Sequence, residues 1–486
     1  MKPNRFFKAV ITAIVLCGAA GKPAAAVKKQ GPDKPNIVFI YVDDWGWTDL
    51  SHAGSAYYET PNIDRLAATG IRFTQAYSIG PNCAPSRASL MTGLYPPRHG
   101  IYTVGTAERG DSTLRKLVPV KNNTVLNPRF VTIAEELKNA GYATSLIGKW
   151  QLGEKAGGAD ASSQGFDHVI AGTPGTASYF YPYIYGGQKK LHRGLEKGEE
   201  GEYLTDRLTD EGIAFVESAK DRPFFLYLSY FAVHTPVQAK AGITEKYRVK
   251  QGNEYHNKPE YAAMIESVDQ GVGKLWDRLG QLNLLDNTLI VFYSDNGGMG
   301  ANTANYPLRG SKGMLYEGGI RVPLIFNWKG KISPAVTDTK VIGVDFYPSF
   351  LELAGIQKPL NKRKPDGVSF IPALTGGKLP ERDLFWHFPA YLEAYKGDMR
   401  ESGPFRTTPV SVIRSGQYKL LEFYEDGKLE LYDLKADLGE TKDIAKTNSS
   451  KTKELHRKLT EWRKNVQAPA PEKPNPYYKG AAASGK

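Results

Sequence analysis

The chain has 486 residues and a formal net charge of +12, with 41% hydrophobic and 23% charged residues. This length leaves room for a large and a smaller domain, and the lack of internal repeats excludes solenoids and propellers. Only two cysteines are present, which excludes a disulfide scaffold, and the basic excess suits an acidic substrate. Nucleic acid is the weaker alternative, because the sequence has no zinc-finger or RNA-binding motif.

The first 26 residues predict a secretory signal peptide. They begin with three basic residues, continue with an apolar run over 9–20 and end in a small-residue cleavage site at 24–26. The run is shorter than the roughly 20 residues that span a bilayer, so we expect an exported, periplasmic or secreted protein without a transmembrane segment. Removal of this segment, with its four cations and no acid, lowers the charge from +12 to +8 and leaves Cys83 as the one thiol. Lipidation at Cys17 is the alternative, although Leu16 is large for such a site.

Residues 36–42 are a continuous apolar, β-branched run that predicts a buried parallel strand ending in Asp43 and Asp44. A capped helix follows over 60–70, and a short strand follows near 72–77.

The stretch 83–93 predicts a helix that begins at Cys83. Pro85 is favoured in a first helical turn, and Gly93 can close the helix. Cys83 would then lie beside exposed backbone N–H groups at the positive end of the helix dipole, with Arg87 one turn further on. This arrangement indicates a reacting group that meets an anionic substrate. The alternative is that Cys83 is a small core residue.

Helices and strands alternate through the following residues. Helices are predicted over 132–141, 204–219, 260–282 and 345–354, and strands over 143–148, 224–230, 289–293 and 321–328. The Gly-, Tyr- and Lys-rich residues 172–202 predict a surface insertion, whose aromatic residues 179–185 either stack on sugar rings or pack within the protein. The alternation predicts the α/β fold class, with a large, doubly wound, mostly parallel sheet and helices on both faces.

The pattern changes near residue 385. Three short strands separated by Ser-Gly and Asp-Gly turns predict an antiparallel meander, and a helix follows, over 411–414, 418–423, 428–433 and 451–465. We therefore expect an α/β catalytic domain, a smaller C-terminal subdomain of antiparallel sheet and helix, and a flexible tail, over 27–384, 385–470 and 471–486.

Four predicted strands end in residues capable of chemistry. These residues are Asp43 with Asp44, Lys149, His234, and Asp295 with Asn296. Asp and Asn at the end of a single strand are commonly turn formers. Here, however, all four strands share one carboxyl edge, and this is the edge at which open α/β sheets bind ligands. The acids and the amide offer hard oxygen ligands without paired histidines or nearby thiolates, which favours Ca²⁺ or Mg²⁺ over zinc.

The motif Cys83-Ala-Pro-Ser-Arg-Ala-Ser-Leu-Met-Thr-Gly93 resembles the formylglycine signature of the type I sulfatases of the alkaline phosphatase superfamily. The resemblance implies that a formylglycine-generating maturation enzyme oxidises Cys83 to an aldehyde. It also implies a Ca²⁺ ion held by Asp43, Asp44, Asp295 and Asn296. By the same resemblance, Arg87 orients the aldehyde hydrate, Lys149 and Lys312 bind the sulfate, and His234 protonates the leaving oxygen.

The sequence departs from the family at Gln151. Most members of the family that this chain resembles carry Lys-Trp-His-Leu-Gly where this chain has Lys149-Trp-Gln-Leu-Gly153. That histidine is assigned to accept a proton when the aldehyde is regenerated, and a glutamine amide cannot accept one near neutral pH. The sequence therefore does not identify the base that regenerates the aldehyde. The alternative to a sulfatase is a catalytically silent protein that binds sulfated glycans.

The expected substrate is a sulfated carbohydrate, with carrageenan-like galactans first and glycosaminoglycans next. His256 and His387 are candidate substrate-binding residues together with Gln151, although either histidine could equally be a packing residue. The closest enzymatic alternative is a phosphonate monoesterase or phosphodiesterase of the same superfamily, which uses the same Cys-x-Pro-Ser-Arg nucleophile.

Overall fold

The computed structural model describes residues 34–154, 158–186, 190–394 and 403–480. The predicted signal peptide, Cys17 and residues 481–486 of the predicted tail lie outside these ranges. Within them, no helix has both the length and the apolar character needed to cross a membrane.

The strands of the described residues are β1 (Asn36–Val42), β2 (Ile71–Phe73), β3 (Ala76–Tyr77), β4 (Ala143–Lys149), β5 (His168–Thr173), β6 (Ile184–Tyr185), β7 (Lys190–Leu191), β8 (Phe224–Ser229), β9 (Thr288–Ser294), β10 (Leu324–Asn327), β11 (Ala335–Thr337), β12 (Val341–Ile342), β13 (Leu384–Phe388), β14 (Leu392–Glu393), β15 (Phe405–Thr407), β16 (Val410–Ser415), β17 (Tyr418–Phe423) and β18 (Leu429–Asp433).

The α-helices are α1 (Pro61–Ala68), α2 (Cys83–Thr92), α3 (Pro96–His99), α4 (Ile133–Asn139), α5 (Leu204–Ala219), α6 (Ala241–Arg248), α7 (Pro259–Gln281), α8 (Glu317–Ile320), α9 (Phe346–Leu353), α10 (Ile371–Leu374) and α11 (Ser449–Val466).

The main sheet has the order β11-β2-β10-β9-β1-β8-β4-β5. The strands from β9 to β5 run parallel, whereas β10 is antiparallel to both β9 and β2. The predicted mostly parallel sheet is therefore confirmed.

Both faces of this sheet are covered, as residues along β1 show. Val38, Ile40 and Val42 belong to a core cluster that includes residues of α5 and α7. The alternate residues Ile37, Phe39 and Tyr41 belong to a second cluster, which includes residues of α2, α4 and α9. Successive side chains of a strand point to opposite faces, so an uninterrupted apolar strand requires a helical layer on each side.

The C-terminal strands form a separate antiparallel sheet in the order β13-β16-β17-β18, and α11 packs on it. Its core includes Val412, Leu420 and Leu455. Trp386 joins this sheet to the segment preceding α2, because its indole nitrogen donates to Ser78 O at 2.8 Å. The predicted C-terminal sheet and helix are confirmed, whereas the exact domain boundaries stay predictions.

Two segments differ from their predictions. The region predicted as a surface insertion contributes Tyr179 and Tyr183 to the core, where both are fully buried. Part of the predicted flexible tail is hydrogen-bonded, since Val118 N donates to Lys473 O at 2.8 Å and Asn475 N donates to Lys116 O at 2.9 Å. Apolar burial and backbone pairing with residues distant in sequence explain both differences.

Candidate active site

The register of β1 and β9 brings two predicted site residues together. Val42 lies opposite Ser294 in this parallel pair. The next residues, Asp43 and Asp295, therefore leave the sheet side by side at its carboxyl edge. Both side chains are buried.

Lys149 reaches the same edge from β4 through a local irregularity. Gly148 has a φ of 107°, and a Cβ there would lie 1.9 Å from the Ser229 carbonyl oxygen, so glycine is required. The register with β5 shifts at this point and pairs Lys149 with Thr173. Lys149 Nζ then lies 2.5 Å from Asp43 Oδ2.

Helix α2 begins at Cys83, as predicted. Its N-cap residue Asn82 makes no side-chain capping bond and instead donates to Thr103 Oγ1 at 2.9 Å. The Asn82 side chain therefore does not occupy the N–H groups of the first turn, which at a helix N-terminus can bind an anion. Cys83 Sγ donates to Asp43 Oδ1 at 3.3 Å, which places the thiol against the strand-end carboxylates.

The Arg87 side chain is almost completely buried and holds several of these elements together. One terminal nitrogen lies 2.7 Å from Asp295 Oδ2, and the other donates to Ser229 Oγ at 2.6 Å and to Lys149 O at 3.4 Å. The guanidinium also lies over the Tyr41 ring, 4.8 Å from its centroid. This planar fork fixes α2 relative to β1, β4, β8 and β9.

Asp44 is the centre of a second set of contacts. Lys312 Nζ lies 2.7 Å from its Oδ1 atom. The Asn296 amide donates to the same oxygen at 2.8 Å, and His234 Nε2 lies 3.8 Å from Oδ2. All the residues predicted to act on sulfate or metal are thus brought together by the fold.

The pKa values of the two carboxyl groups beside Arg87, those of Asp43 and Asp295, are shifted in opposite directions. Burial alone would raise the pKa of Asp43, but Lys149, His234 and Arg87 hold that pKa well below its ordinary value. Burial and the charge of Asp43 raise the pKa of Asp295 to about 7, against the opposing charge of Arg87. Asp43 is therefore the more firmly ionised of the two.

Burial, followed by the charges of Asp295 and Asp43, raises the pKa of the Cys83 thiol. The thiol stays protonated at neutral pH, unlike the low-pKa thiolates of cysteine nucleophiles. The His234 pKa is lowered by burial and by the charge of Lys312.

The residues at this edge fit a hard divalent cation. Ligand atoms within 4.8 Å of one another come from Asp43, Asp44, Cys83 and His234. Asn296 donates through its amide nitrogen to Asp44 and to Gly297 O, while its Oδ1 is buried without a hydrogen-bond partner in the described part of the chain. A buried amide oxygen beside several carboxylates is a suitable ligand for Ca²⁺ or Mg²⁺.

Gln151 is the second residue after β4 and has a left-handed backbone, with a φ of 64°. Its Oε1 atom is buried and has no hydrogen-bond partner among the described residues. The structure places it two residues from Lys149, and its role in binding substrate stays a prediction.

The other two candidate substrate residues lie in packed surroundings. His256 is buried, its Nδ1 lies 3.0 Å from Ser55 Oγ, and its ring lies 4.5 Å from that of Tyr58. His387 is also buried, with its ring nitrogens 2.8 Å from Ser411 Oγ and 2.9 Å from Pro469 O. His256 Nε2 also lies 3.4 Å from Asp49 Oδ1. Both histidines thus have contacts typical of packed side chains, and their role in binding substrate stays a prediction.

Sequence reasoning missed two residues that support the site. The Tyr179 hydroxyl donates to Phe231 O at 2.7 Å and to His234 O at 2.9 Å, which fixes the backbone that carries His234. Ser229 accepts from Arg87, as described above. Ser229 ends the β8 strand, so its position among the strand ends was the available signal, whereas Tyr179 was predicted only as one of the aromatic residues 179–185 and not as a support for His234.

Comparison with known families decides the assignment. The family model described as Sulfatase matches residues 35–356, and the model described as N-sulphoglucosamine sulphohydrolase, C-terminal, matches residues 310–465. The chain belongs to the sulfatase family. It is therefore a sulfuric ester hydrolase, and the resemblance based on the Cys83 motif is confirmed.

Individual relatives agree with this assignment. A sulfatase of Formosa agariphila is 34% identical to this sulfatase, over 94% of each chain. Human N-acetylgalactosamine-6-sulfatase is 32% identical and covers 73% of this chain and 69% of its own. The crystal structure of Ps i-CgsB in complex with k-i-k-neocarrahexaose is 32% identical, with a TM-score of 0.73 over 88% of this chain and 93% of that one.

Proposed function

We propose that this sulfatase is exported and removes sulfate esters from a sulfated polysaccharide, with carrageenan-like galactans as the first substrate class. The observation that carries the proposal is the position of Cys83, whose Sγ lies 3.3 Å from Asp43 Oδ1 at the start of α2, within the cluster that also holds Lys149 and Arg87. The similarity to a protein crystallised with neocarrahexaose supports the substrate class.

The charges of the cluster suit an anionic ester. Three carboxylates, Asp43, Asp44 and Asp295, are matched by the cations Arg87, Lys149 and Lys312. A divalent cation added to this balanced set would give a positive site for the sulfate group. Lys149 and Lys312 then stabilise the sulfuryl oxygens, and they can do so strongly because their surroundings exclude water.

A formylglycine derived from Cys83 would supply, as its hydrate, a hydroxyl nucleophile and a second hydroxyl through which the aldehyde is recovered. Ca²⁺ held by Asp43, Asp44, Asp295 and Asn296 would supply Lewis-acid polarisation. Arg87 orients the group at position 83 from one turn further along α2. His234 delivers a proton to the departing sugar oxygen, because imidazole is suited to proton transfer near neutral pH.

The proposal requires maturation and export. A formylglycine-generating enzyme must oxidise Cys83 before the chain folds, because that side chain is buried in the folded protein. Removal of residues 1–26 would deliver the mature chain to the periplasm or the medium.

The test combines peptide mass spectrometry with substrate assays on protein from its native host. We expect the Cys83 peptide at the mass of the aldehyde, and sulfate release from carrageenan oligosaccharides exceeding that from glycosaminoglycans. A phosphodiester assayed in parallel should be the poorer substrate. Cys83→Ser, a matched variant with a single hydroxyl, should fold and not turn over. An unmodified thiol in fully active enzyme would contradict the proposal.

The metal is tested by thermal unfolding as well as activity. We expect chelation to abolish turnover and lower Tm reversibly, with recovery on addition of Ca²⁺. Asp295→Ala should lose the Ca²⁺-dependent rise in Tm, whereas Asp286→Ala should keep it, because the Asp286 side chain is 75% exposed and pairs with Lys329 at 3.0 Å. Undiminished activity of the wild type after complete chelation would rule out the metal.

A further inference from the structure

Tyr255 and Tyr306 form a stacked pair at the surface, which we call the platform, and Tyr306 lies in the loop between Asn296 and Lys312. The rings of Tyr255 and Tyr306 are parallel within 2°, with centroids 4.1 Å apart. Tyr306 is 53% exposed, although most large aromatic side chains of the described residues are buried. An exposed aromatic face held by a second ring is a common feature of ligand-binding surfaces.

This pair is joined to the catalytic cluster by short backbone connections. Tyr306 belongs to the loop between Asn296 and Lys312, which carry two of the predicted site side chains. Next to Tyr306, the Asn305 side chain receives a bond from Gly298 N and donates to Gly298 O, both at 3.0 Å. The same Gly298 carbonyl accepts from Lys312 N at 3.0 Å. The tyrosine face is therefore two hydrogen bonds away from the Lys312 backbone.

The second ring is equally well fixed. Tyr255 O accepts from Ala304 N at 3.3 Å, and this bond joins the segment that carries Tyr255 to the loop that carries Tyr306. The Asn253 side chain accepts from the backbone N–H groups of Tyr255 and His256, at 2.9 and 2.7 Å. His256 is itself anchored by Ser55, so the platform needs little reordering to receive a ligand.

The aromatic residues that the sequence suggested for this task are not accessible. Tyr179 and Tyr183 are fully buried, and the Tyr179 hydroxyl is committed to the carbonyl groups below His234. Apart from Tyr306, the large exposed aromatic residues of the described chain are Tyr477 and Tyr478, near the C-terminus.

We propose that Tyr306, backed by Tyr255, is a binding subsite for a pyranose ring of the polysaccharide next to the unit that loses its sulfate. This inference rests on the proposed polysaccharide substrate. One face of a galactose ring presents C–H groups, which pack on an aromatic face while the hydroxyl groups remain in water. Two stacked tyrosines offer a rigid surface for this contact at low entropic cost.

The test compares a long and a short substrate. For Tyr306→Ala we expect KM for a carrageenan hexasaccharide to rise about tenfold with kcat unchanged, as loss of one aromatic contact predicts. An aryl sulfate, which has no neighbouring pyranose ring to pack on Tyr306, should keep both constants. Tyr306→Phe and Tyr306→Trp should keep the hexasaccharide KM, and Tyr477→Ala, at a side chain that is 68% exposed, serves as the matched control.

Several outcomes would overturn the inference. Wild-type KM for the hexasaccharide in Tyr306→Ala would do so, as would an equal loss on the aryl sulfate, which would indicate that Tyr306 only supports the loop. A wild-type enzyme that hydrolyses aryl sulfates but no sulfated polysaccharide would instead defeat the proposed function, and this inference with it.

Discussion

The Arg87 guanidinium lies 2.7 Å from Asp295 Oδ2, and both side chains are at most 1% exposed. The two residues are 208 positions apart in the sequence, so this contact joins the start of α2 to the end of β9. A buried charge pair is sensitive to the loss of one partner, because the remaining charge has no water to solvate it.

Replacement of Arg87 should therefore affect stability and turnover separately. We expect Arg87→Met to lower the free energy of unfolding by about 3–5 kcal/mol, since Asp295 is left unpaired. Arg87→Lys keeps the charge but loses the planar guanidinium, which contacts Ser229 and Asp295 through its two terminal nitrogens. We therefore expect this variant to fold while its turnover falls roughly 100-fold or more. Urea unfolding and aryl sulfate assays measure these effects.

The matched control for this pair is Arg65→Met, in which a 40% exposed arginine loses Asp277. It should cost less than about 1 kcal/mol. Wild-type stability of Arg87→Met would contradict the importance given to the buried pair.

Gln151→His should change kcat and its pH dependence while leaving KM nearly unchanged. Glutamine cannot take up a proton near neutral pH, whereas a histidine at the same position can. We expect kcat to rise and to acquire an ascending limb near pH 6.5. The measurement is kcat against pH for the wild type, Gln151→His and the control Gln151→Asn. A lower kcat without a new limb would show that another group already serves as base, or that Gln151 recognises substrate.

A buried triad connects the C-terminal sheet to the main domain. Lys419 Nζ lies 3.0 Å from Glu317 Oε1 and 2.9 Å from Glu440 Oε1, and all three side chains are fully buried. Burial and the charge of Glu317 raise the pKa of Glu440 to about 7, against the opposing charge of Lys419. The lysine is therefore needed to hold two close carboxylates together.

We expect Lys419→Met to lower the free energy of unfolding by about 3–5 kcal/mol. Adding Glu440→Gln to this variant should recover part of the loss, because the carboxylate that loses its lysine is removed, whereas Glu317 keeps Arg321 at 3.4 Å. Lys428→Met is the control, since Lys428 is 57% exposed in its pair with Glu430 and should cost less than about 1 kcal/mol. Equal urea midpoints for Lys419→Met and the wild type would contradict this prediction.

His387 should make stability depend on pH. Burial lowers its pKa to about 4, from an ordinary value near 6.5. Between pH 6.5 and pH 4, His387 binds a proton in the unfolded chain but stays neutral in the folded chain. The stabilisation is therefore present above pH 6.5 and is lost as the pH falls towards 4.

We expect the stability difference between the wild type and His387→Gln to shrink by about 2 kcal/mol between pH 7 and pH 5. Urea unfolding at several pH values measures it, with His456→Gln as a control at a 40% exposed ring. A difference that does not change with pH would refute the prediction.

Much of the fold and of the candidate site could be predicted from the sequence because the relevant signals are local. The apolar run of β1 requires burial on both faces, and the change to turn-separated short strands near residue 385 marks the second sheet. The spacing of Cys83, Pro85, Arg87 and Gly93 is sufficient to start and end one helix. Parallel strands then bring their carboxyl ends to one edge, so Asp43 and Asp295 were expected to be neighbours.

Only the tertiary structure decided which of the remaining side chains are buried and what they contact. Tyr179 and Tyr306 both have glycine and proline residues nearby in the sequence, yet Tyr179 is fully buried below His234 and Tyr306 is 53% exposed in the loop that precedes Lys312. The contact of Arg87 with Asp295 and that of Lys419 with Glu317 likewise join distant parts of the chain. Periodicity and capping act over a few residues, whereas burial depends on how whole layers pack against one another, and no local pattern specifies that packing.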